Sequence, residues 1–598
     1  MSATLYAVNQ YPIQILLSWV QAGEIAIPEI QRPFVWDSKQ VRELIDSLYK
    51  GYPVGYLIAW KNHDVRLKNG ESSAGKKILI DGQQRITALM ASVLGMKVIN
   101  QHYQKTKIQI SFHPIEERFE VYNPAIEKDN SWFKDISVLI DNKTNLFNVV
   151  NEYIQKNEGY EQSEIFEKLQ KLRNIINNQI GLIELDSALE IDEVTEIFIR
   201  INSKGQRLSQ ADFVMSKIAA NDQYDGHTLR KLIDYFCHLS TQPEDYESIS
   251  SLDADFKNVE AIRKLSWLKD EREDLYYPEY TDVLRVAFIS QFGRGRLRDL
   301  VALLSGRNFE TRSYEEEIVE QSFQTLWKGV QEVTNETNFK RFLMILRSLG
   351  LANKDLVGSV NILNYAYIVY LLMREEKESA EVIEQYVKKA YVFNVLTERF
   401  AGNPEGTFDF DIKRIKEDGF VSYFDSLEQS RLGDTFWDIA LPQKFNTPVA
   451  SSPFYRLYLA TQCAFNDKGF LSKGISVRDM VIHRGDVHHI YPKNYLKQEG
   501  YPQNKYNQIA NYALTQQEIN IKISDRSPKE YLQEVLKQCE TKELVYGGID
   551  SVEGLKENFE MNCIPEYMLH GEVPDFETFL KDRQALMAKK IKRYYESL

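Results

Sequence analysis

Three of the chain's nine histidines, His483, His488 and His489, fall within seven residues in VIHRGDVHHIYPKNYL. Imidazole titrates near neutrality, so it can both ligate a metal and move a proton at physiological pH. His488 and His489 follow a Gly-Asp turn and sit in a short apolar run from Val487 to Tyr491, stopped by Pro492. That pattern reads as a β-strand running into a loop. Neighbouring side chains on a strand point to opposite faces, so the two imidazoles cannot easily share one role. One suits a metal ion and the other proton chemistry. Downstream, IANYALTQQEINIKIS carries Asn511 and Asn520 nine residues apart, with an apolar turn and a helix-compatible stretch between them.

This arrangement resembles the HNH (His-Me finger) nuclease superfamily. Its ββα-metal motif has an acidic or His ligand beside a base His, then an Asn opening a second strand, then an Asn or His ligand on a helix. By position, the resemblance implies His488 as first metal ligand and His489 as general base. It further implies Asn511 as the residue that orients the base and Asn520 as second ligand. The chemistry agrees: phosphodiester hydrolysis needs a neutral imidazole to deprotonate water and a divalent ion to stabilise developing charge. Many HNH proteins carry Asp where this chain has His488. A His and Asn set is softer than Mg²⁺ prefers, which leaves Mg²⁺ and Mn²⁺ both open.

A second constellation lies near the N-terminus. IPEIQRPFVW at 27–36 precedes a helix-like SKQVRELIDSLYKG, and ILIDGQQRITALMA at 78–91 runs an apolar strand into Asp81-Gly82-Gln83-Gln84-Arg85 at a helix start. Such a junction leaves backbone N–H groups at the positive helix end, and Arg85 adds a bidentate phosphate partner, so it reads as an anion site.

These residues resemble the N-terminal domain of the GmrSD family of type IV, modification-dependent restriction systems, whose fold is ParB/sulfiredoxin-like. The family is marked by IPxxQRxxxW, DGQQR and a later FxRINxxGxxL element. The third stands here as Phe198 to Leu208, with Asn202, Ser203 and Gly205 in place. The family's C-terminal domain is of the HNH type, so the resemblance covers both ends of the chain and is weak between about 220 and 450. It implies binding and hydrolysis of a nucleoside triphosphate (NTP) by Gln31, Arg32, Asp81, Gln84, Arg85 and Asn202. Arg32 and Arg85 would hold phosphates, Asp81 the metal or attacking water, and the amides water or ribose.

Other signals carry less. Gly70-Glu-Ser-Ser-Ala-Gly-Lys76-Lys77 nearly fits a phosphate-binding P-loop, but Lys77 replaces the Mg²⁺-binding hydroxyl and the segment precedes a strand; it reads as an exposed connecting loop. Arg294, Arg296 and Arg298, and the terminal Lys589, Lys590, Lys592 and Arg593, offer DNA phosphate contacts, although charge runs are usually solvated faces. Cys237, Cys463, Cys539 and Cys563 form no CxxC pair, which points to four reduced thiols and no cysteine zinc site.

The 598 residues that support these groups exceed one core, and 43% hydrophobic with 27% charged residues is ordinary globular composition. A net charge of -13 argues against a protein that coats nucleic acid non-specifically, but not against a local basic groove. The start lacks a basic signal-peptide region and no apolar run approaches a spanning length, so a cytoplasmic protein is expected. Short β-type runs, Gly55–Trp60 and Lys77–Ile80, mix with helical periods up to about 115, helical spacing dominates from 160 to 450, and the turn-rich 446–453 marks a boundary or loop. The expected fold class is α+β multidomain: a ParB/sulfiredoxin-like nucleotide domain at 1–220, a helical middle at 221–450 and an HNH nuclease domain at 451–598. The function expected is a nucleotide-regulated, metal-dependent endonuclease acting on modified DNA in anti-phage defence. Two alternatives are the nuclease effector of a larger defence assembly and a nucleotide-gated DNA-binding regulator.

Overall fold

The apolar runs near the N-terminus become strands of one mixed sheet in the computed structural model, which describes residues 5–26, 36–61, 77–99, 105–157, 159–186, 189, 209–219, 221, 223–271, 275–483 and 485–598. Strands β1 (Tyr6–Pro12), β2 (Ile25–Ala26), β3 (Tyr56–Lys61), β4 (Lys77–Asp81) and β5 (Gln179–Leu185) lie in the order β1-β5-β3-β4-β2. β1 pairs antiparallel with β5, β5 parallel with β3, β3 antiparallel with β4 and β4 parallel with β2. Alternation along the strands sends Leu57, Ala59, Leu79, Ile180 and Leu182 to one face. There they share a core with residues of helices α1 (Ile13–Gln21), α2 (Ser38–Tyr49) and α3 (Gln83–Ser92). Each fully buried aliphatic side chain stabilises the unit by about 1.5–3 kcal/mol.

Helix α2 shows how the sequence sets these supports. Asp37 and Gln40 form a capping box, with Gln40 N–H donating to Asp37 at 2.8 Å and Asp37 N–H donating to the Gln40 side chain at 3.0 Å. Val41, Leu44, Ile45 and Leu48 then recur on one face and are buried, so the helix is fixed at its start and along its length.

The chain divides into two units, one of residues 1–270 with 300–324 and the other of 271–299 with 325–598. The helical stretch read at 221–450 contributes to both. In the second unit, helices α4 (Val360–Glu375) and α5 (Ala380–Leu396) are apolar around most of their circumference and correspondingly buried. A buried Asn364 within α4 is satisfied on both sides, accepting from Tyr276 Oη at 2.6 Å and donating to Asp282 at 2.7 Å.

The same unit ends in the elements that carry the histidines. These are β6 (Asp486–His489), α6 (Lys493–Gln498), β7 (Tyr512–Thr515), α7 (Gln517–Ile523) and a long helix α8 (Phe576–Glu596). The molecule is α+β and mostly helical, at 62% helix with small sheets. No helix among the described residues is long and apolar enough to cross a membrane.

Candidate functional site

β6 and β7 pair antiparallel, with His488 opposite Ala513 and His489 opposite Tyr512, and α7 follows β7 after one residue. Ile519 and Ile523 are buried on α7 and hold that helix in place, which fixes Asn520 toward β6. His488 Nδ1 lies 2.7 Å from Asn520 Oδ1. Asp486, two residues earlier on the same strand face, accepts from Asn520 Nδ2 at 3.4 Å. The His488 ring is 3% exposed, stacked on Phe470 at 5.8 Å and edge-on to Tyr531 at 6.5 Å. Burial pushes its pKa down to about 4; the Asn520 bond opposes this, while His489 and the Arg583 guanidinium add to it. The imidazole is therefore neutral at physiological pH.

Whether these groups fit a divalent ion can be judged from the donors. His488 Nε2 is buried with no hydrogen-bond partner. That nitrogen points away from Asn520; it is Nδ1 that faces the Asn520 amide oxygen, and with its proton moved to Nε2 it would make, with that oxygen and the Asp486 carboxylate alongside, a mixed N/O set of the kind Mn²⁺ and related ions accept. Among the described residues, no three His, Cys, Asp or Glu side chains converge as a metal cluster. A site here would thus depend on the amide of Asn520.

His489 faces the other way. Its Nε2 lies 3.0 Å from Asn507 Oδ1 and its ring packs edge-on against Tyr512 at 5.0 Å. With the amide oxygen facing it, Nε2 is the protonated nitrogen and Nδ1 is left basic. Burial lowers the His489 pKa, the Asn507 bond opposes that, and the Lys493 charge lowers it further, so this ring too is neutral at pH 7.

Asn511, read from the sequence as orienting the base, is fully buried and bonded to backbone. Its Oδ1 accepts from Tyr491 N–H at 2.8 Å, and its Nδ2 donates to Tyr491 O at 3.0 Å and Tyr506 O at 3.1 Å. It clamps the chain two residues beyond His489 to the residue before Asn507. The side chain hydrogen-bonded to the His489 ring is that of Asn507, which no spacing rule in the sequence marks. Behind the clamp, the fully buried Arg583 of α8 donates to Ala510 O at 2.7 Å and to Asn562 O.

In the first unit, β4 ends at Asp81 and α3 begins at Gln83, with Gly82 between them at φ +91°. A Cβ at Gly82 would sit 2.2 Å from Leu57 Cδ2, so close packing and backbone angle both require glycine. No side chain caps this helix start. Arg85 Nη1 donates to Tyr56 O at 2.7 Å and Nη2 lies 3.6 Å from Asp81, bringing Asp81 and Arg85 together over the ends of β3 and β4. Gln84 is half-buried beside Arg85 on the first turn of α3. Gln31, Arg32 and Asn202, with the rest of the Phe198–Leu208 element, lie outside the described residues, as does most of the glycine loop at 70–76. Lys77 opens β4 and ion-pairs with Glu184.

The basic runs are compensated by carboxylates in part, since Lys589 and Arg593 form no ion pair among the described residues. Arg294 and Arg298 lie 3.6 and 3.8 Å from Asp299, and Arg296 lies 3.5 Å from Asp409. On α8, Lys590 pairs with Asp467 at 2.5 Å and Lys592 lies 3.8 Å from Asp434. All four cysteines are free thiols, three of them buried.

Residues 14–219, about a third of the chain, match the family model described as the N-terminal domain of the GmrSD restriction endonuclease. That span contains the strand-glycine-helix junction at Asp81–Arg85. Along nearly its full length the chain is similar to an uncharacterized protein of Methanocaldococcus jannaschii, at 21% identity over 93% of this chain and 90% of that protein.

Proposed function

We propose that this chain is a metal-dependent DNA endonuclease of restriction type, cutting at the strand-strand-helix element of β6, β7 and α7 and regulated by a nucleotide held near Asp81 and Arg85. The observation that carries the reading is the division of labour between adjacent histidines. His488 is locked against Asn520 on one face of β6, while His489, held by Asn507, presents a neutral basic nitrogen on the other. The match of residues 14–219 to a restriction-endonuclease domain supports DNA as substrate, and the motif resemblance adds modified DNA as its class.

His488 and Asn520, with Asp486 alongside, would hold a Mg²⁺ or Mn²⁺ ion, which when bound supplies positive charge to the cleaved phosphate and its leaving oxygen. His489 Nδ1 takes a proton from water. The hydroxide oxygen forms a bond to phosphorus as the bond from phosphorus to the 3′ oxygen breaks, and that oxygen is protonated from solvent. The products are a 5′-phosphate and a 3′-hydroxyl. Asn507 keeps the ring in the tautomer that this step needs, and Asn511 holds both partners through the backbone.

The nucleotide part of the reading rests on the Gly82 junction and the Asp81 and Arg85 pair, joined by Gln31, Arg32, Gln84 and Asn202 in the family pattern. Arg85 offers phosphate-binding N–H groups beyond those used on Tyr56 and Asp81.

The test is cleavage by the purified full chain of unmodified, glucosylated-hydroxymethylcytosine and phosphorothioate DNA, with and without NTP and with Mg²⁺ or Mn²⁺. Metal-dependent cutting of a modified substrate, abolished in His489→Ala, is expected. Undiminished cutting by His489→Ala removes the histidine from the base role.

A further inference from the structure

Several of the arginines and lysines described above are compensated, whereas two cations beside His489 stay available to a polyanion. Lys493 and Lys497 occupy successive turns of α6, the helix that follows Pro492 immediately after the histidine strand. Both are exposed, and neither forms an ion pair among the described residues. Their ammonium groups lie 6.0 and 5.9 Å from the centroid of one ring, Tyr506. Tyr506 precedes Asn507, which holds the His489 ring, and its carbonyl is clamped by Asn511. The third lysine of this stretch, Lys505, is 3.5 Å from Glu577 and so is partly neutralised.

We infer that Lys493 and Lys497 form the phosphate-binding rail of the nuclease centre, seating the DNA strand so that the cut phosphate reaches His489. The inference rests on the nuclease reading of the β6, β7 and α7 element and adds the surface that grips the substrate. Four residues of helix rise separate the two ammonium stems by about 6 Å, a span that reaches neighbouring phosphates on one strand. Tyr506 beneath both stems limits their rotamers, so less side-chain freedom is lost on docking. In a chain of net charge -13, an uncompensated cation pair beside the reacting imidazole also adds local attraction for the substrate's polyanion.

The test measures affinity of the full chain for a short unmodified DNA duplex, in EDTA, across a series of salt concentrations. Each lost phosphate contact lowers the slope of log affinity against log salt by about 1, so Lys493→Gln and Lys497→Gln should each lower it by about 1 and the double variant by about 2. Lys493→Arg and Lys497→Arg should keep the wild-type slope. Arg298→Gln, a charge loss of the same size at a compensated site, should leave it unchanged. A double glutamine variant with the wild-type slope overturns the assignment, as does an equal loss in Arg298→Gln. Wild-type chain that binds neither this duplex nor the same duplex carrying glucosylated hydroxymethylcytosine or phosphorothioate overturns the nuclease reading along with it. Lysine-dependent binding confined to an RNA duplex of the same sequence replaces DNA as the partner.

Discussion

The two candidate sites of this molecule are built differently. At the histidine strand, the chemical groups come from 35 consecutive residues, Asp486 to Asn520, and are buried and bonded to one another. At the Asp81 and Arg85 junction, the visible part of the site is half-exposed, and Arg85 is tied to one backbone carbonyl. A buried polar group removed from its partners leaves an unsatisfied donor or acceptor behind, whereas a half-exposed one is replaced by water. In the second unit, then, the proposed chemistry and the stability would draw on the same hydrogen bonds. In the first they are separable.

The sharpest way to break this contrast is at Asn511. Its replacement by Ala strands the N–H and C=O of Tyr491 and the C=O of Tyr506, so we expect a loss of about 4 kcal/mol in urea unfolding monitored by fluorescence. A change below about 1 kcal/mol means that the clamp is not a structural element.

The pH dependence of the metal-free chain sharpens it further. His488 has a folded pKa of about 4 against an ordinary 6.5, so between those values the unfolded chain binds the extra proton. Stability from this group is fully present above about pH 6.5 and is lost as pH falls toward 4, by about 3 kcal/mol at most. Urea midpoints measured across that window in EDTA should fall with pH, and His488→Gln should flatten the trend. An unchanged trend in the variant assigns the effect to other groups.

At the other site, Arg85→Ala should cost under about 1 kcal/mol of stability, because it removes one hydrogen bond at a half-exposed position. It should nonetheless abolish nucleotide binding, read by calorimetry with a slowly hydrolysed NTP analogue. Its effect on modified-DNA cleavage should be opposite in sign to that of adding NTP to the wild type. Cleavage insensitive to every NTP, and unchanged in the variant, shows two tethered but uncoupled activities.

What could be read beforehand follows the same division. The strands at Tyr56–Lys61 and Lys77–Asp81 and the strand and helix bearing His488 and Asn520 were legible, because alternation, a stopping proline and helical spacing are local signals. Asn507 was not, because its approach to His489 depends on how the loop before Asn511 folds back. The strand Gln179–Leu185, which sits between the first and third strands in the sheet, carries no local mark of that position. Arg296 looked like a phosphate contact because its carboxylate, Asp409, lies 113 residues further along the chain. Charge runs show their cations in sequence but not the distant acids that neutralise them. The reverse holds for Lys493 and Lys497, two isolated lysines whose proposed role emerges only because no acid pairs with them among the described residues.

The central claim is that adjacent histidines do different work, one on the metal and one on the proton. Its most direct test is the cleavage rate of His488→Ala, Asn520→Ala and His489→Ala as Mn²⁺ and Mg²⁺ are titrated, with folding of each variant checked by circular dichroism. The first two should regain activity as the ion concentration rises, while His489→Ala should stay about 10²–10⁴-fold slower at saturation. If all three respond to the metal in the same way, the two histidines do not divide the chemistry and the assignment of roles is wrong.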